Sequence, residues 1–367
     1  MKSKVVEKKE FRKFVDNLIN SDFAVFGPTK KENPPAGQKT KYVFSEIGSY
    51  NDLVLQYNTT LLSPKKYFFP QKETLFKYKD NVPEEVIVEK KKIIFGVHPC
   101  DLHSLKLLDK AFLSENPDSN YLRNRDNTVI FGIDCKPDEF CFCKSMGTDS
   151  AVNTDYDLFF TDLGDKLVVD IGTTIGEEIL KKHCKTEDVN ELDKKSIEAQ
   201  KCGKDSGFCQ KLNMDLPQLS RLMEETYESK VWEEIGNICV SCGACVFACP
   251  TCYCFDVIDN QSLDLTAGER VRTWDGCVLQ MFAAVGSGEN FREKRSQRLR
   301  QRFYRKGKYL FDRFGEPGCV GCGRCGRSCI VEINPIKVFN GIEAYLKLEK
   351  YNKKTLPAVR QDIKAKK

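Results

Sequence analysis

An α/β N-terminal domain with a parallel sheet, followed by an α-rich domain built around cysteine loops, is the fold class that the sequence predicts. Two continuous apolar runs, "KKIIFGV" (91–97) and "NTVIFGI" (127–133), enclose a segment with helical spacing of its apolar residues. A phrase with four cysteines, "CVSCGACVFAC" (239–249), recurs with the same spacing as "CVGCGRCGRSC" (319–329). A polar, charged stretch separates the two regions. We therefore place an α/β domain at 1–185, a polar linker with peripheral helices at 186–230 and the cysteine-loop domain at 231–367.

The composition is that of a folded globular protein. Apolar residues make up 41% of the 367 residues, which is an ordinary share. No apolar run approaches the length of about eighteen residues that a membrane span needs. The charged start "MKSKVVEKKEFRKFVDNLI" also lacks the apolar core of a signal peptide. We therefore expect a cytoplasmic protein that does not bind a membrane.

Eighteen cysteines need an explanation in a compartment where thiols stay reduced. Metal or redox chemistry explains them better than disulfides do. They are also unevenly spread, since residues 1–99 contain none and eleven lie from Cys239 onward. This distribution predicts dedicated sulfur sites.

The two apolar runs predict neighbouring parallel strands of a βαβ unit, because the segment between them, "DLHSLKLLDKAFL" (101–113), has helical periodicity. The carboxyl ends of such strands meet at one edge of the sheet, where open α/β sheets bind ligands. Cysteines follow both runs closely. We call four of them the front-half cysteines and hypothesise that they converge at this edge and hold an iron–sulfur cluster: Cys100, Cys135, Cys141 and Cys143.

Thiol chemistry is the alternative at this edge. Cys100 is flanked by His98, Asp101 and His103, and a cysteine near a histidine can act as a nucleophile. The histidines can equally orient a cluster or compensate its charge. No G-x-G-x-x-G follows a strand and no P-loop is present, so the sequence shows no dinucleotide or phosphate cradle.

The two cysteine phrases, here named the first cysteine loop (239–250) and the second cysteine loop (319–330), have the spacing C-x2-C-x2-C-x3-C. In bacterial ferredoxins the first three cysteines of such a run bind one [4Fe-4S] cluster and the fourth binds the other. Zinc is the alternative, but zinc sites usually pair two C-x2-C motifs separated by a dozen or more residues. We therefore assign one [4Fe-4S] cluster to Cys239, Cys242, Cys245 and Cys329, and the other to Cys319, Cys322, Cys325 and Cys249.

A long insertion of sixty-nine residues separates Cys249 from Cys319 in this two-cluster, ferredoxin-like domain. Cys252, Cys254 and Cys277 lie within it, either as additional ligands or as small buried side chains. The insertion also carries the basic stretch 292–308, with nine basic residues and one acid. Three interpretations of that stretch are open. It forms a solvated face, or it offsets the charge of anionic clusters or docks an acidic partner, or it contacts nucleic acid.

Several phrases together resemble the beta subunit of cytoplasmic nickel–iron sulfhydrogenases and the related A subunit of anaerobic sulfite reductase. They are "FGVHPCDLHSLKLLDKAFL", "PDEFCFCKSMGT", "YDLFFTDLGD", "CPTCYC", "RTWDGC", "NFRE" and "GCVGCGRC". The likeness runs from about Phe11 to Phe339 and is weakest across the linker. The eight cysteines assigned above match the family's cluster motif, and the front-half cysteines, Cys252, Cys254 and Cys277 also fall within family phrases.

The resemblance implies an electron relay that is not catalytic alone. One partner subunit would carry FAD, a [2Fe-2S] centre and an NAD(P)H site, and another would carry a nickel–iron site for hydrogen or siroheme for sulfite. Two [4Fe-4S] clusters, and a third or further one, are the cofactors expected. Nucleic acid is not among the expected partners. The alternatives to this relay are a self-contained reductase that uses the front-half cysteines and, below it, a cluster-bearing nucleic-acid-binding protein.

Overall fold

The computed structural model describes residues 2–31, 40–80, 82–86, 91–152 and 155–348. The chain divides into two units. The first consists of the chain up to Gln210 together with Gly243–Gly276 and Cys319–Ser328. The second consists of Lys211–Cys242, Cys277–Gly318 and the chain from Cys329 onward. Within the described ranges no helix combines the length and the apolar character that crossing a membrane requires.

Strands and helices alternate through the first unit, and helices dominate the second. The strands are β1 (Lys2–Glu7), β2 (Ala24–Lys30), β3 (Tyr42–Glu46), β4 (Lys72–Lys79), β5 (Val82–Glu85), β6 (Lys92–Val97), β7 (Thr128–Ile133), β8 (Leu158–Asp162), β9 (Lys166–Ile171), β10 (Glu187–Asp188), β11 (Phe255–Gln261) and β12 (Ala267–Trp274). The α-helices are α1 (Lys8–Ile19), α2 (Pro99–Phe112), α3 (Ser119–Asp126), α4 (Cys143–Met146), α5 (Thr174–His183), α6 (Glu191–Ser206), α7 (Leu216–Glu225), α8 (Val231–Ile238), α9 (Ala244–Phe247), α10 (Arg295–Tyr304), α11 (Leu310–Phe314) and α12 (Arg324–Arg327). Residues 335–348 are also helical.

A mixed sheet in the order β10-β1-β9-β8-β7-β6-β2-β3 forms the centre of the first unit. The four adjacent strands β8, β7, β6 and β2 are parallel to one another, with Ile94 opposite Ile130 in the β6–β7 pair. The prediction that the two apolar runs form adjacent parallel strands joined by a helix is therefore confirmed. The sheet as a whole is mixed rather than wholly parallel, because β3, β9, β1 and β10 pair antiparallel.

Aromatic side chains fill the layer between α1 and the sheet. Phe11 and Phe14 of α1 are fully buried against Phe95, Phe131 and Phe160 of three parallel strands. The Phe95 and Phe131 rings meet edge to face, with centroids 4.8 Å apart. Such pairs add to the stabilisation from burial, and they fix the strands whose carboxyl ends carry Cys100 and Cys135.

The first part of the insertion between the cysteine loops, up to Gly276, belongs to the first unit. Its hairpin β11–β12 pairs antiparallel with β4, giving a second sheet in the order β11-β12-β4-β5. Arg272 of β12 is buried and forms ion pairs with Glu73 and Asp118. This part of the insertion is therefore an added sheet and not a separate loop.

The basic stretch 292–308 lies in α10 and the π-helical turn Arg305–Tyr309 that follows it, within the second unit. Arg298, Arg302 and Lys306 are buried there. The Arg298 guanidinium donates to the carbonyl oxygens of Val278 (3.2 Å) and Arg292 (3.0 Å). These three cations are internal, so the stretch is only in part the solvated face that a charge run usually forms.

The second cysteine loop docks on the segment that carries Cys141 and Cys143. The Phe142 amide donates to the Gly321 carbonyl oxygen (2.9 Å), and the Thr148 hydroxyl donates to the Val320 carbonyl oxygen (2.7 Å). Gly321 has φ +63°, and a Cβ atom added there would lie 2.6 Å from the backbone nitrogen of Cys143. Only glycine allows both this backbone conformation and this close approach.

Replacing Gly321 by alanine is expected to reduce the free energy of unfolding of the first unit by more than the conformational cost alone. Gly147→Ala is the matched control, because Gly147 has φ +68° but a Cβ atom there would meet nothing within 4 Å. The control should cost about 1–2 kcal/mol. Anaerobic urea unfolding measures both variants, and equal losses would show that the loop is not packed as described.

Candidate iron–sulfur sites

The two cysteine loops repeat a backbone conformation as well as a sequence. Ser241 (φ +54°) and Gly321 (φ +63°) occupy equivalent positions in the left-handed region. Gly243 (φ +81°) and Gly323 (φ +74°) then begin the short helices α9 and α12. These two helices contact one another within the first unit.

Backbone amides approach sulfur in both repeats. The Ser241 amide donates to the Cys239 sulfur (3.4 Å), and the Ile333 amide donates to the Cys329 sulfur (3.3 Å). Hydrogen bonds of this kind tune the potential of a cluster. No disulfide forms among the cysteines, all of which lie in the described part of the chain.

The predicted ligands of the two ferredoxin-type clusters are distributed differently between the two units of the chain. Cys319, Cys322, Cys325 and Cys249 all belong to the first unit. Of the other set, Cys245 belongs to the first unit, whereas Cys239, Cys242 and Cys329 belong to the second. The two ligand sets stay predictions.

The four front-half cysteines do converge at the carboxyl edge of the parallel strands. Cys100 is the second residue of α2, directly after β6, and Cys135 lies two residues beyond β7. Cys141 and Cys143 follow on the segment that enters α4. All four line one narrow cavity, and Cys322 of the second cysteine loop lines it with them. We call this space the five-cysteine cavity.

The thiols in this cavity lie against one another, so its volume is only about 10 Å³. Hydrogen bonds with the thiols of Cys100 and Cys141, together with burial, raise the pKa of the Cys143 thiol well above its ordinary value. Burial raises the pKa of the Cys135 thiol, opposed by the ammonium group of Lys204. Burial also raises the pKa of the Cys322 thiol, opposed by the guanidinium group of Arg324. Iron would have to displace these protons, since thiolate is the ligating form.

The donor set fits an iron–sulfur cluster, which is held by cysteine thiolates. Among the described residues no group of three or more histidine, cysteine, aspartate or glutamate side chains is arranged to hold a single metal ion. A cluster in the five-cysteine cavity would separate thiols that now hydrogen-bond to each other. The side chains present supply sulfur in excess of the four ligands that one cubane needs.

A buried ion pair joins the second cysteine loop to α2. Arg324 and Asp101 are 1% and 0% exposed, and two nitrogens of the guanidinium group contact the two carboxylate oxygens at 2.6 and 2.7 Å. The Arg324 Nε also donates to the carbonyl oxygen of Thr60 (3.0 Å). Asp101 is adjacent to Cys100, and Arg324 lies between Cys322 and Cys325. The pair therefore connects the two groups of cysteines.

Two further cations lie beside cysteines of the first unit. Lys204 contacts Asp134 and donates to the Asp149 carbonyl oxygen (2.6 Å) on the wall of the five-cysteine cavity. Lys65 is 2% exposed, and its ammonium group donates to the carbonyl oxygens of Cys249 (3.2 Å) and Cys252 (2.8 Å). The same group lies 3.8 Å from the centre of the Trp274 ring. Neither lysine was identified from the sequence, where no local signal marks it.

The three additional cysteines of the insertion do not all belong to the same unit. Cys252 and Cys254 belong to the first unit, and the Cys254 carbonyl oxygen accepts from the Asp275 amide (3.0 Å). Cys277 belongs to the second unit and is buried. Their role as ligands stays a prediction.

A larger cavity of about 1040 Å³ borders the five-cysteine cavity within the first unit. Cys135 and Lys204 line both spaces. The remaining wall comes from residues 55–58, the segments after β7 and β8, the start of β3 and one side of α6. Its size is that of a small-molecule site.

Residues 238–333 match a family model described as a 4Fe-4S dicluster domain. The iron–sulfur interpretation of the two cysteine loops is thereby confirmed. The beta subunit of sulfhydrogenase 2 from Pyrococcus furiosus is 37% identical over 327 residues, which cover 89% of this chain and 94% of that protein. No solved structure matches the chain.

Replacing Arg324 by methionine is expected to reduce the free energy of unfolding of the first unit by about 3–5 kcal/mol, because it leaves the Asp101 carboxylate buried without a partner. The double variant Asp101→Leu/Arg324→Met should recover much of that loss, since it removes both charges. Arg270→Met is the control, because the Arg270–Asp259 pair is exposed and its loss should cost at most about 1 kcal/mol. Equal stability of Arg324→Met and Arg270→Met in anaerobic urea titrations would contradict the role given to the buried pair.

Proposed function

Because the chain belongs to the family of sulfhydrogenase beta subunits, we propose that it relays electrons inside a multisubunit oxidoreductase. One partner is a subunit with FAD, a [2Fe-2S] centre and an NAD(P)H site. The other is a catalytic subunit, with a nickel–iron site for hydrogen or siroheme for sulfite. The name of the relative favours the nickel–iron partner.

The observation that carries the proposal is the five-cysteine cavity. Four cysteines suffice for one cubane, and the fifth, Cys322, is a predicted ligand of the ferredoxin-type cluster held by the second cysteine loop. A cluster on the front-half cysteines would therefore lie next to that cluster. Adjacent clusters are what one-electron steps along a relay require.

The clusters supply the redox chemistry when bound, cycling between their 2+ and 1+ core states, and the protein holds and screens them. Thiolate-bound cubanes carry negative charge, which buried cations stabilise. Arg324 and Lys204 lie on or beside the five-cysteine cavity, and Lys65 lies under the turn at Cys249. Burial and these charges set how readily each cluster accepts an electron.

Replacing Cys141 and Cys143 together by serine tests the front-half cluster in the purified complex. Iron should fall by about four atoms per chain. Electron transfer from NAD(P)H to the terminal acceptor should be largely lost, while each partner keeps its activity with artificial dyes. Cys202→Ser/Cys209→Ser is the matched control, because both of those cysteines are exposed. Unchanged iron in the Cys141/Cys143 variant would contradict the third cluster, and copurification with neither partner would contradict the relay.

The 1040 Å³ cavity beside Cys135 supports a second candidate, a self-contained reductase that acts on a small molecule there. Gly203 of α6 lines this cavity, and a Cβ atom there would meet nothing within 4 Å. Phenylalanine at this position should occupy the cavity without moving the cysteines.

We expect Gly203→Phe to leave electron transfer through the complex unchanged relative to Gly203→Ala, because a relay needs no substrate in this cavity. The rate from NAD(P)H to the terminal acceptor measures the effect. A loss confined to the phenylalanine variant, with full iron content, would favour the reductase over the relay.

A further inference from the structure

His98, the residue between β6 and α2, has a buried ring nitrogen that no described residue contacts through a hydrogen bond. The side chain is 2% exposed and lines the five-cysteine cavity. Its Nε2 atom makes no hydrogen bond within the described part of the chain. Burying a polar group unpaired costs free energy, so such an atom points to a ligand that satisfies it.

The imidazole ring is held in place by packing. It stacks on the Tyr57 ring with centroids 4.0 Å apart and an interplanar angle of 17°. The Tyr57 hydroxyl in turn donates to the carbonyl oxygen of Gly96 in β6. Gly96 has φ +75°, and a Cβ atom added there would lie 2.8 Å from Cδ of Pro28. The orientation of Nε2 is therefore fixed by the strand that precedes Cys100.

The imidazole ring can present an N–H group at Nε2 in either protonation state, because the neutral ring has one N–H donor and the cation has two. The sulfur atoms of a thiolate-bound cluster are hydrogen-bond acceptors, so the nitrogen that meets them must be the donor.

We propose that His98 donates a hydrogen bond from Nε2 to a sulfur atom of the cluster held by the front-half cysteines, and that this bond sets the reduction potential of that cluster. The inference rests on the third cluster of the proposed function. The reduced cluster carries more negative charge and accepts the bond more strongly, so the bond favours reduction. His98 is thus a tuning residue rather than a ligand.

Two variants of the full chain test this role. His98→Phe keeps a ring to stack on Tyr57 but has no N–H group, whereas His98→Gln keeps an amide donor. His183→Phe is the control, since His183 ends α5 and lines neither cavity. Three quantities are measured anaerobically: the iron content per chain, the midpoint potential of each cluster, and the coupling of exchangeable protons to the reduced cluster. The proton coupling is obtained by comparing samples in H₂O and D₂O. The signal that disappears in Cys141→Ser/Cys143→Ser identifies the cluster concerned.

The proposal predicts full iron in all three variants. In His98→Phe the potential of the front-half cluster should become more negative and one exchangeable proton coupling should be lost, while His98→Gln and His183→Phe remain close to the unmodified chain. An unchanged potential and coupling in His98→Phe, with the cluster present, would overturn the inference. Loss of about four iron atoms from both His98 variants would also overturn it, because that marks a ligand or structural role. Absence of the front-half cluster from the unmodified chain is a failure of the proposed function instead.

Discussion

The ion pair between Asp101 and Arg324 is the constraint on which the arrangement of sulfur depends. Both groups are buried, and the pair spans 223 positions of sequence. Burying two charges is costly unless the geometry and the remaining hydrogen bonds are good. Here the contact is bidentate, and Thr60 accepts further bonds from the guanidinium group. Asp101 follows Cys100, and Arg324 lies between Cys322 and Cys325. The pair therefore fixes the second cysteine loop against the edge of the α/β sheet.

With the proposed front-half cluster in place, the N-terminal domain would be part of the electron-transfer apparatus rather than a scaffold beside it. The carboxyl edge of a parallel sheet, where other α/β proteins bind nucleotides or substrates, here presents thiols. Two cations lie beside them: Lys204, which is paired with Asp134, and the buried Arg324, which is paired with Asp101. These ion pairs hold the positive charges in fixed positions, which would lower the reorganisation that accompanies each electron at a cluster bound there.

The sequence predicted those elements that depend on patterns within a short segment of chain. The two apolar runs indicated parallel strands, and the rule for their carboxyl ends indicated that the front-half cysteines converge. Long-range features could not be obtained in this way. Cys322 has the spacing of a ferredoxin ligand, and nothing near it in sequence shows that it also lines the front-half site. The pairing of β12 with β4 and the burial of Arg298 depend on contacts between distant segments, which neither periodicity nor charge runs report.

The iron and acid-labile sulfide content of the anaerobically purified full chain tests the central claim most directly. Three cubanes, two on the cysteine loops and one on the front-half cysteines, predict about twelve iron atoms and as many sulfides per chain. A content of about eight of each would leave the sheet edge without a cluster and contradict the account.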